Sequence, residues 1–151
     1  MAELHIRRAT IGDLGALVEL ENSVFATDRI RERQWRRHLE SLTAEVFVAT
    51  LEHRLLGAAL LFFRRDSRVA RLYSIAVADG ARRRGVGEQL LAKAERAAMR
   101  RSNRVLRLEV RKDNHTAQRL YERQGYRLVG EYPAYYQDGQ DARRYEKPLE
   151  A

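Results

Sequence analysis

Cysteine is absent from the 151 residues. That removes disulfides, thiolate metal sites and a cysteine nucleophile together. Proline numbers only 2 and glycine 9, so no collagen-like or low-complexity tract is present. Long apolar runs are missing as well. The longest, Leu55 to Phe63, is about half of the ~20 residues a membrane span needs. Met1 to Arg8 lacks the apolar stretch of a signal peptide. The expectation is a cytoplasmic protein that engages no membrane. His5, His38, His53 and His115 show no metal-ligand spacing, so no metal is expected. No linker and no internal repeat divides the chain. Its length can bury a self-sufficient core, and residues 1–151 read as a single domain.

What the chain has in excess is positive charge. Lys and Arg total 29 against 21 Asp and Glu, a net charge of +8, and all but three of the basic residues are arginine. Arginine offers planar, always-charged forks for phosphate and carboxylate. A basic chain suits polyanionic partners: nucleic acid, acidic protein or a phosphorylated cofactor. Nucleotide-composition bias in the source genome accounts for the arginines equally well.

The hydrophobic spacing predicts an element order βααβββαβαββ. Leu4 to Arg8 reads as a strand. Thr10 and Asp13 resemble a capping box ahead of a helix carrying Ile11, Leu14, Leu17, Val18 and Leu20. Arg29 to Leu42 reads as a more charged helix with Ile30, Trp35 and Leu39 inward. Three strand-like runs follow, Ala44 to Thr50, Leu55 to Arg64 and Val69 to Val77, joined by short polar turns. Gly85 to Arg100 is an amphipathic helix, Arg104 to Val110 a strand, and Asn114 to Gln124 a helix ended by Gly125. Tyr126 to Tyr132 and Ala142 to Leu149 form a last strand pair, with Asp138-Gly139 as its turn signal. The fold class is α/β or α+β: a mixed, mostly antiparallel sheet with helices on both faces.

The most informative stretch is Arg82-Arg83-Arg84-Gly85-Val86-Gly87, which follows a strand and opens a helix. Unpaired amides at a helix N-terminus, glycines that permit close approach, and flanking arginines make an anion cradle. A Walker A loop needs Lys and Ser or Thr after its second glycine; Val86-Gly87 stands there instead. A dinucleotide fingerprint needs a third glycine where Leu90 sits.

The remaining Arg-x-x-Gly-x-Gly pattern, preceded by Leu72-Tyr73-Ser74-Ile75-Ala76-Val77, resembles the acetyl-CoA-binding motif of the GCN5-related N-acetyltransferase superfamily. A second stretch is similar to its other half-site: Leu108-Glu109-Val110, then Asn114, Ala117, Leu120-Tyr121-Glu122 and Gly125-Tyr126. The likeness is greatest to the branch containing ribosomal-protein-alanine N-acetyltransferases, and it covers essentially the whole chain. It implies acetyl transfer from acetyl-CoA to a primary amine. The amine is expected on a peptide or protein, as an N-terminal α-amine or a lysine, with a small-molecule amine as the alternative acceptor. The diphosphate of the co-substrate would meet Arg82, Arg83, Arg84, Gly85, Val86, Gly87 and Glu88. Its pantetheine arm would pair with the backbone of Ile75, Ala76 and Val77. A strand bulge near Val77 is implied to supply an oxyanion-binding amide. Asn114 is implied to reach the coenzyme arm, a role compatible with that of a plain N-cap.

Glu109 is the candidate base, directly or through water. Leu106, Leu108 and Val110 share one face of their strand, and Glu109 lies on the other beside Arg107 and Arg111. An ion pair with either would oppose the base role. Tyr121 stands two helical turns after Asn114. It is the candidate acid for the departing thiolate and also part of the coenzyme site; a packing role beside Leu120 is the competing reading. Five of the seven tyrosines fall within the last 26 residues. Tyr135 and Tyr136 are expected to line the acceptor channel, opposite Phe25 and Asp28, or to pack the hairpin onto the sheet. Two departures from the resembled branch bear on the acceptor. Phe25-Ala26-Thr27-Asp28-Arg29 replaces its Pro-Trp-rich turn, and Arg143-Arg144-Tyr145-Glu146-Lys147 is more polar than its final strand.

Two other classes compete. One is a non-catalytic acyl-CoA-binding regulatory module. The other is a nucleic-acid-binding domain using arginines 82–84, 100, 101, 104 and 107. Nucleic acid is disfavoured as a partner, because no base-reading motif is present and the aromatics are not interleaved with that cluster. The assembly state is open, a homodimer included.

Overall fold

A computed structural model describes residues 3–81 and 84–150. Its strands are β1 (His5–Arg8), β2 (Ala44–Leu51), β3 (Arg54–Phe62), β4 (Val69–Val77), β5 (Val105–Arg111), β6 (Arg127–Tyr132) and β7 (Ala142–Pro148). Its helices are α1 (Leu14–Val24), α2 (Glu32–Glu40), α3 (Val86–Arg100) and α4 (His115–Arg123). The strands form one sheet in the order β1-β2-β3-β4-β5-β7-β6. All neighbours are antiparallel except β4 and β5. That parallel pair needs a crossover, and α3 provides it.

Side-chain alternation sorts the core into two layers. Phe47, Ala49, Ala59, Leu61, Leu106 and Leu108 face α3 and α4, with Leu90, Leu91, Ala94, Ala97 and Ala98 packed on them. Val46, Val48, Ala58 and Leu60 face the other way, against Leu14, Leu17, Leu20 and Trp35 of α1 and α2. Helices therefore cover both faces, as the sequence predicts. Each fully buried leucine contributes about 1.5–3 kcal/mol.

Several boundaries differ from the sequence expectation, each for a local reason. The first turn before α1, Ile11–Asp13, is 3-10. There the Asp13 carboxylate accepts the Thr10 backbone N–H at 2.8 Å and also binds the Arg7 guanidinium. The second helix starts at Glu32 rather than Arg29. Asp28 has φ +55°, which an α-helix cannot accommodate, and the Ile30 N–H is held by the Glu21 carboxylate at 2.8 Å. The Arg29 guanidinium turns back to the carbonyls of Asn22 and Phe25 at the end of α1. Helix α4 ends as expected. Gly125 has φ +93°, its N–H donates to Glu122 and the Tyr126 N–H to Tyr121, the double bond of a Schellman motif. The connection between β6 and β7 is longer than a two-residue turn. It covers residues 133–141, with Gly139 at φ +88°, and the Tyr135 and Tyr136 amides both donate to the Gln140 carbonyl.

Candidate active site

The site begins with a strand pair that comes apart. Strands β4 and β5 stay in register only from Val69–Leu72 against Val105–Leu108. On the other edge of β4 the register slips: Leu60 faces Ser74 while Leu61 faces Leu72, leaving Tyr73 as an extra residue. A bulge bends its strand and inverts the side-chain alternation after it. Ala70 and Leu72 face α3 before the bulge; Ile75 and Val77 do so after it, and Ala76 faces α1. The bulge thus lies at Tyr73, four residues earlier than expected, and Val77 is in regular register with Gly57. From Tyr73 to Val77, β4 pairs with β3 alone among the described residues. Its other edge presents unpaired backbone groups, a ready partner for an extended amide chain.

A cleft of about 540 Å³ opens at this divergence. It is lined by Ile75, Glu109, Asn114, Tyr121, Phe25, Asp28, Tyr135 and Tyr136, so eight of the sequence-predicted site residues meet in one place. The stretch expected to cradle an anion leads into the start of α3. Gly85, with φ +73°, precedes the helix, and its carbonyl accepts the Gln89 N–H at 3.0 Å. Gly87 is needed for closeness: a Cβ there would lie 3.2 Å from Leu120 Cδ2, so α3 and α4 meet at that point. Val86 is buried, whereas Arg84 and Glu88 are exposed. Arg82 and Arg83 lie outside the described residues. The side chains of Ala76 and Val77 do not line the cleft; their contribution can come only from the backbone.

Asn114 caps α4, its Oδ1 accepting the Ala117 N–H at 3.1 Å. The cap leaves the amide NH2 available, so both roles expected of Asn114 are compatible. Tyr121 is buried, with its ring 5.8 Å from that of Tyr126 in an edge-on arrangement. Burial pushes its phenol well above the usual range, which keeps the proton on it as a donor. Its hydroxyl makes no hydrogen bond among the described residues, whereas Tyr126 donates to Glu95 at 2.8 Å.

Glu109 does form ion pairs, though with neither expected neighbour. Its Oε1 accepts from Arg71 at 2.7 Å and its Oε2 from Arg144 at 2.8 Å. Each guanidinium reaches on to a phenol oxygen: Arg71 to Tyr135 at 2.8 Å, Arg144 to Tyr132 at 2.7 Å. One carboxylate thereby links two guanidinium groups and, through them, the Tyr132 and Tyr135 hydroxyls. Arg107 pairs with Glu146 instead, and Arg111 with Asp113 and Asp138. The α1–α2 loop is clasped to the β6–β7 loop. The Asp28 N–H donates to Gln137 Oε1 at 3.0 Å, and the Gln137 N–H returns to the Asp28 carboxylate at 3.2 Å. Tyr136 is half-buried beneath the Arg111 guanidinium, 5.1 Å from its ring.

Among the residues that escape the sequence reading are Glu21 and Arg71, which line the cleft, and Arg144, which does not line it but pairs with Glu109. Arg144 faces Glu109 directly across β5 and β7, a pairing legible only once the register is known. Glu21 had a signal. It continues the Leu14, Leu17 stripe at helical spacing, so it is a carboxylate on the buried face. It is 3% exposed, and burial pushes its carboxyl from 4.5 to about 7.

Comparison with known proteins settles the family. The model of the acetyltransferase (GNAT) family matches residues 14–126. The chain belongs to the GNAT family. It is 30% identical over 138 residues to a putative [ribosomal protein bS18]-alanine N-acetyltransferase of Bacillus subtilis, covering 91% of this chain and 90% of that protein. It is 29% identical over 155 residues to an N-alpha-acetyltransferase of Sulfolobus acidocaldarius, covering 95% and 92%. The crystal structure of the ribosomal-protein-S18-alanine N-acetyltransferase from Escherichia coli superposes with TM-score 0.87 at 26% identity, over 99% of this chain and 96% of that one. This GNAT protein is therefore an N-acetyltransferase, and its family implies acetyl-CoA as the acyl donor. No group of three or more His, Cys, Asp or Glu able to hold a metal occurs among the described residues. No helix among them is long and apolar enough to cross a membrane.

Proposed function

We propose that this acetyltransferase moves the acetyl group of acetyl-CoA onto the α-amine of a protein N-terminus. The likeness to a bS18-alanine N-acetyltransferase over nine-tenths of both chains supports that choice of acceptor most directly. The cleft has the chemistry for it. The unpaired edge of β4 and the start of α3 are suited to the coenzyme's amides and diphosphate. The loops carrying Phe25 and Tyr135 frame an opening for a chain end. The acyl donor supplies a thioester carbonyl, and the amine nitrogen attacks its carbon. Tyr121 holds a proton for the departing sulfur, whose conjugate acid is a far stronger acid than a buried phenol. A proton passed to that sulfur is therefore replaced from the nitrogen, so Tyr121 relays it. Glu109 has two roles open to it: proton acceptor through a water, or anchor of the two arginines that fix Tyr132 and Tyr135. A direct bond to the amine would displace a guanidinium.

The test is an acceptor panel with acetyl-CoA, reading thiol release and the mass of the product. It compares a peptide with a free N-terminal alanine, the same peptide N-terminally blocked with an internal lysine, and a polyamine. Acetylation of the α-amine alone is expected. Transfer to the polyamine in preference would establish the small-amine reading. Binding of acetyl-CoA with no acceptor turned over would establish the regulatory one.

A further inference from the structure

Helix C-termini carry partial negative charge, so a buried carboxylate in the last turn of α1 is electrostatically misplaced. Glu21 is there nonetheless. It lines the cleft beside Tyr73, Ser74 and Ile75, at the point where β4 leaves β5. Its Oε2 is fixed by the Ile30 N–H at 2.8 Å. It has no ion pair among the described residues. The charged and titratable groups around it are few. Arg29, in the following loop, attracts it from a guanidinium already bound to two carbonyls. Tyr73 on β4 shares the field of Glu21 with Asp28, Arg71 and Tyr135. Glu109 differs in kind: a proton placed there must break a guanidinium pair, and one placed on Glu21 breaks none.

We propose that Glu21 is the carboxylate that takes the acceptor's ammonium proton, and that Glu109 anchors the acceptor wall through Arg71 and Arg144. The inference rests on the acetyl transfer proposed above. The acceptor arrives as R–NH3⁺. One proton moves to Glu21 and from there to solvent. The freed nitrogen pair forms the N–C bond, the C–S bond breaks, and the second nitrogen proton ends on the coenzyme sulfur by way of Tyr121. The products are the amide, the free thiol and one proton.

The proton transfer is easier from an α-amine than from a lysine. With the Glu21 carboxyl near 7, drawing a proton from an α-ammonium of about 7.7–8.0 is uphill by roughly tenfold. Drawing one from a lysine at about 10.4 is uphill by more than a thousandfold. The gap between the two amines, more than about two units, sets this preference whatever the base.

The experiment follows kcat/KM from pH 6 to 9.5 with the N-terminal alanine peptide, for the unmodified protein, Glu21→Gln and Glu109→Gln. Glutamine is isosteric and its side-chain oxygen still accepts the Ile30 N–H. At pH 7 the Glu21→Gln protein should fall by about a hundredfold or more, the range of general-base loss. The deficit should shrink toward tenfold at pH 9.5, where the acceptor arrives neutral, with acetyl-CoA affinity unchanged by calorimetry. Glu109→Gln should raise KM and lower the melting temperature, with a deficit that does not vary with pH. If Glu21→Gln fails to fold, Glu21→Asp serves, with reduced turnover and a displaced acidic limb expected. A Glu21→Gln rate within threefold of the unmodified protein at pH 7 would overturn the assignment. So would a deficit equal at every pH, an unshifted limb in Glu21→Asp, or a pH-dependent deficit in Glu109→Gln. An unmodified protein that acetylates no amine would instead bring down the acetyl-transfer reading, and this one with it.

Discussion

Gly57 lies in β3 directly beneath the first turn of α3. A Cβ added there would stand 2.8 Å from Val86 Cγ1, 3.1 Å from Leu90 Cδ1 and 3.1 Å from the Ala76 carbonyl oxygen. The first distance is shorter than real Cβ contacts reach, and the third is to backbone, which cannot step aside. Gly57→Ala must therefore push the start of α3 off the sheet. Overpacking of a dense core costs about 1–3 kcal/mol. Relief of glycine's backbone entropy returns roughly 0.5–1 kcal/mol, for a net loss of up to about 2.5 kcal/mol. The same displacement moves the helix end proposed to face the coenzyme, so on that proposal acetyl-CoA should bind more weakly. Val86, 1% exposed, is the first obstacle. Val86→Ala alone should destabilise by about 1–3 kcal/mol through lost burial and a cavity. In the Gly57→Ala background the new methyl occupies the vacated space. The pair should then be less damaging than the sum by roughly 0.5–2 kcal/mol, the coupling typical of touching residues. Urea melts of the four proteins measure the coupling, and calorimetry the affinity. Additivity within about 0.3 kcal/mol, or unchanged acetyl-CoA affinity in Gly57→Ala, would refute the idea that this glycine sets the height of α3.

Other substitutions separate chemistry from scaffolding. Tyr121→Phe removes a hydroxyl with no hydrogen bond among the described residues. Stability should stay within about 0.5 kcal/mol while kcat falls about 10²- to 10⁴-fold; stopped-assay turnover with an unchanged melt checks it. Asn114→Ser keeps a capping oxygen and loses the amide NH2, so melts should be nearly unaffected and acetyl-CoA affinity reduced; Asn114→Ala should lose both, with about 0.5–2 kcal/mol from the cap. Glu21 carries a pH signature in stability. Its carboxyl is raised from 4.5 to about 7 by folding, so the native state retains a proton the unfolded chain releases. Its contribution is intact below about 4.5, declines as pH rises to about 7 and is level above. At about 1.36 kcal/mol per unit, Glu21→Gln should gain roughly 1–3 kcal/mol relative to the unmodified protein between pH 5 and pH 8. Urea melts at both values showing a constant difference would contradict the burial argument.

The sequence made the layers legible because they depend on local periodicity. The apolar run in residues 44–50 and the stripe Leu90, Leu91, Ala94, Ala97, Ala98 each report a neighbour without knowing the fold. The glycine loop was legible for a similar reason: Gly85 and Gly87 answer a backbone demand that few other residues meet. What escaped depends on register. The bulge at Tyr73 rather than Val77, the pairing of Glu109 with Arg71 and Arg144, and the clasp between Asp28 and Gln137 each join segments far apart in the chain. Charge alone suggested Arg107 and Arg111 for Glu109, yet their guanidinium groups are taken by Glu146, Asp113 and Asp138. Glu21 was readable as a polar break in an apolar stripe. Its place beside the opening of β4 depends on the tertiary fold.

Amide hydrogen exchange with and without acetyl-CoA tests most directly the claim that the divergence of β4 and β5 is the donor site. The account predicts new protection on the Tyr73–Val77 edge and at residues 84–88, with the loop at 64–68 unchanged. Protection confined to that arginine loop or to 100–104, with the β4 edge exchanging as before, would contradict it.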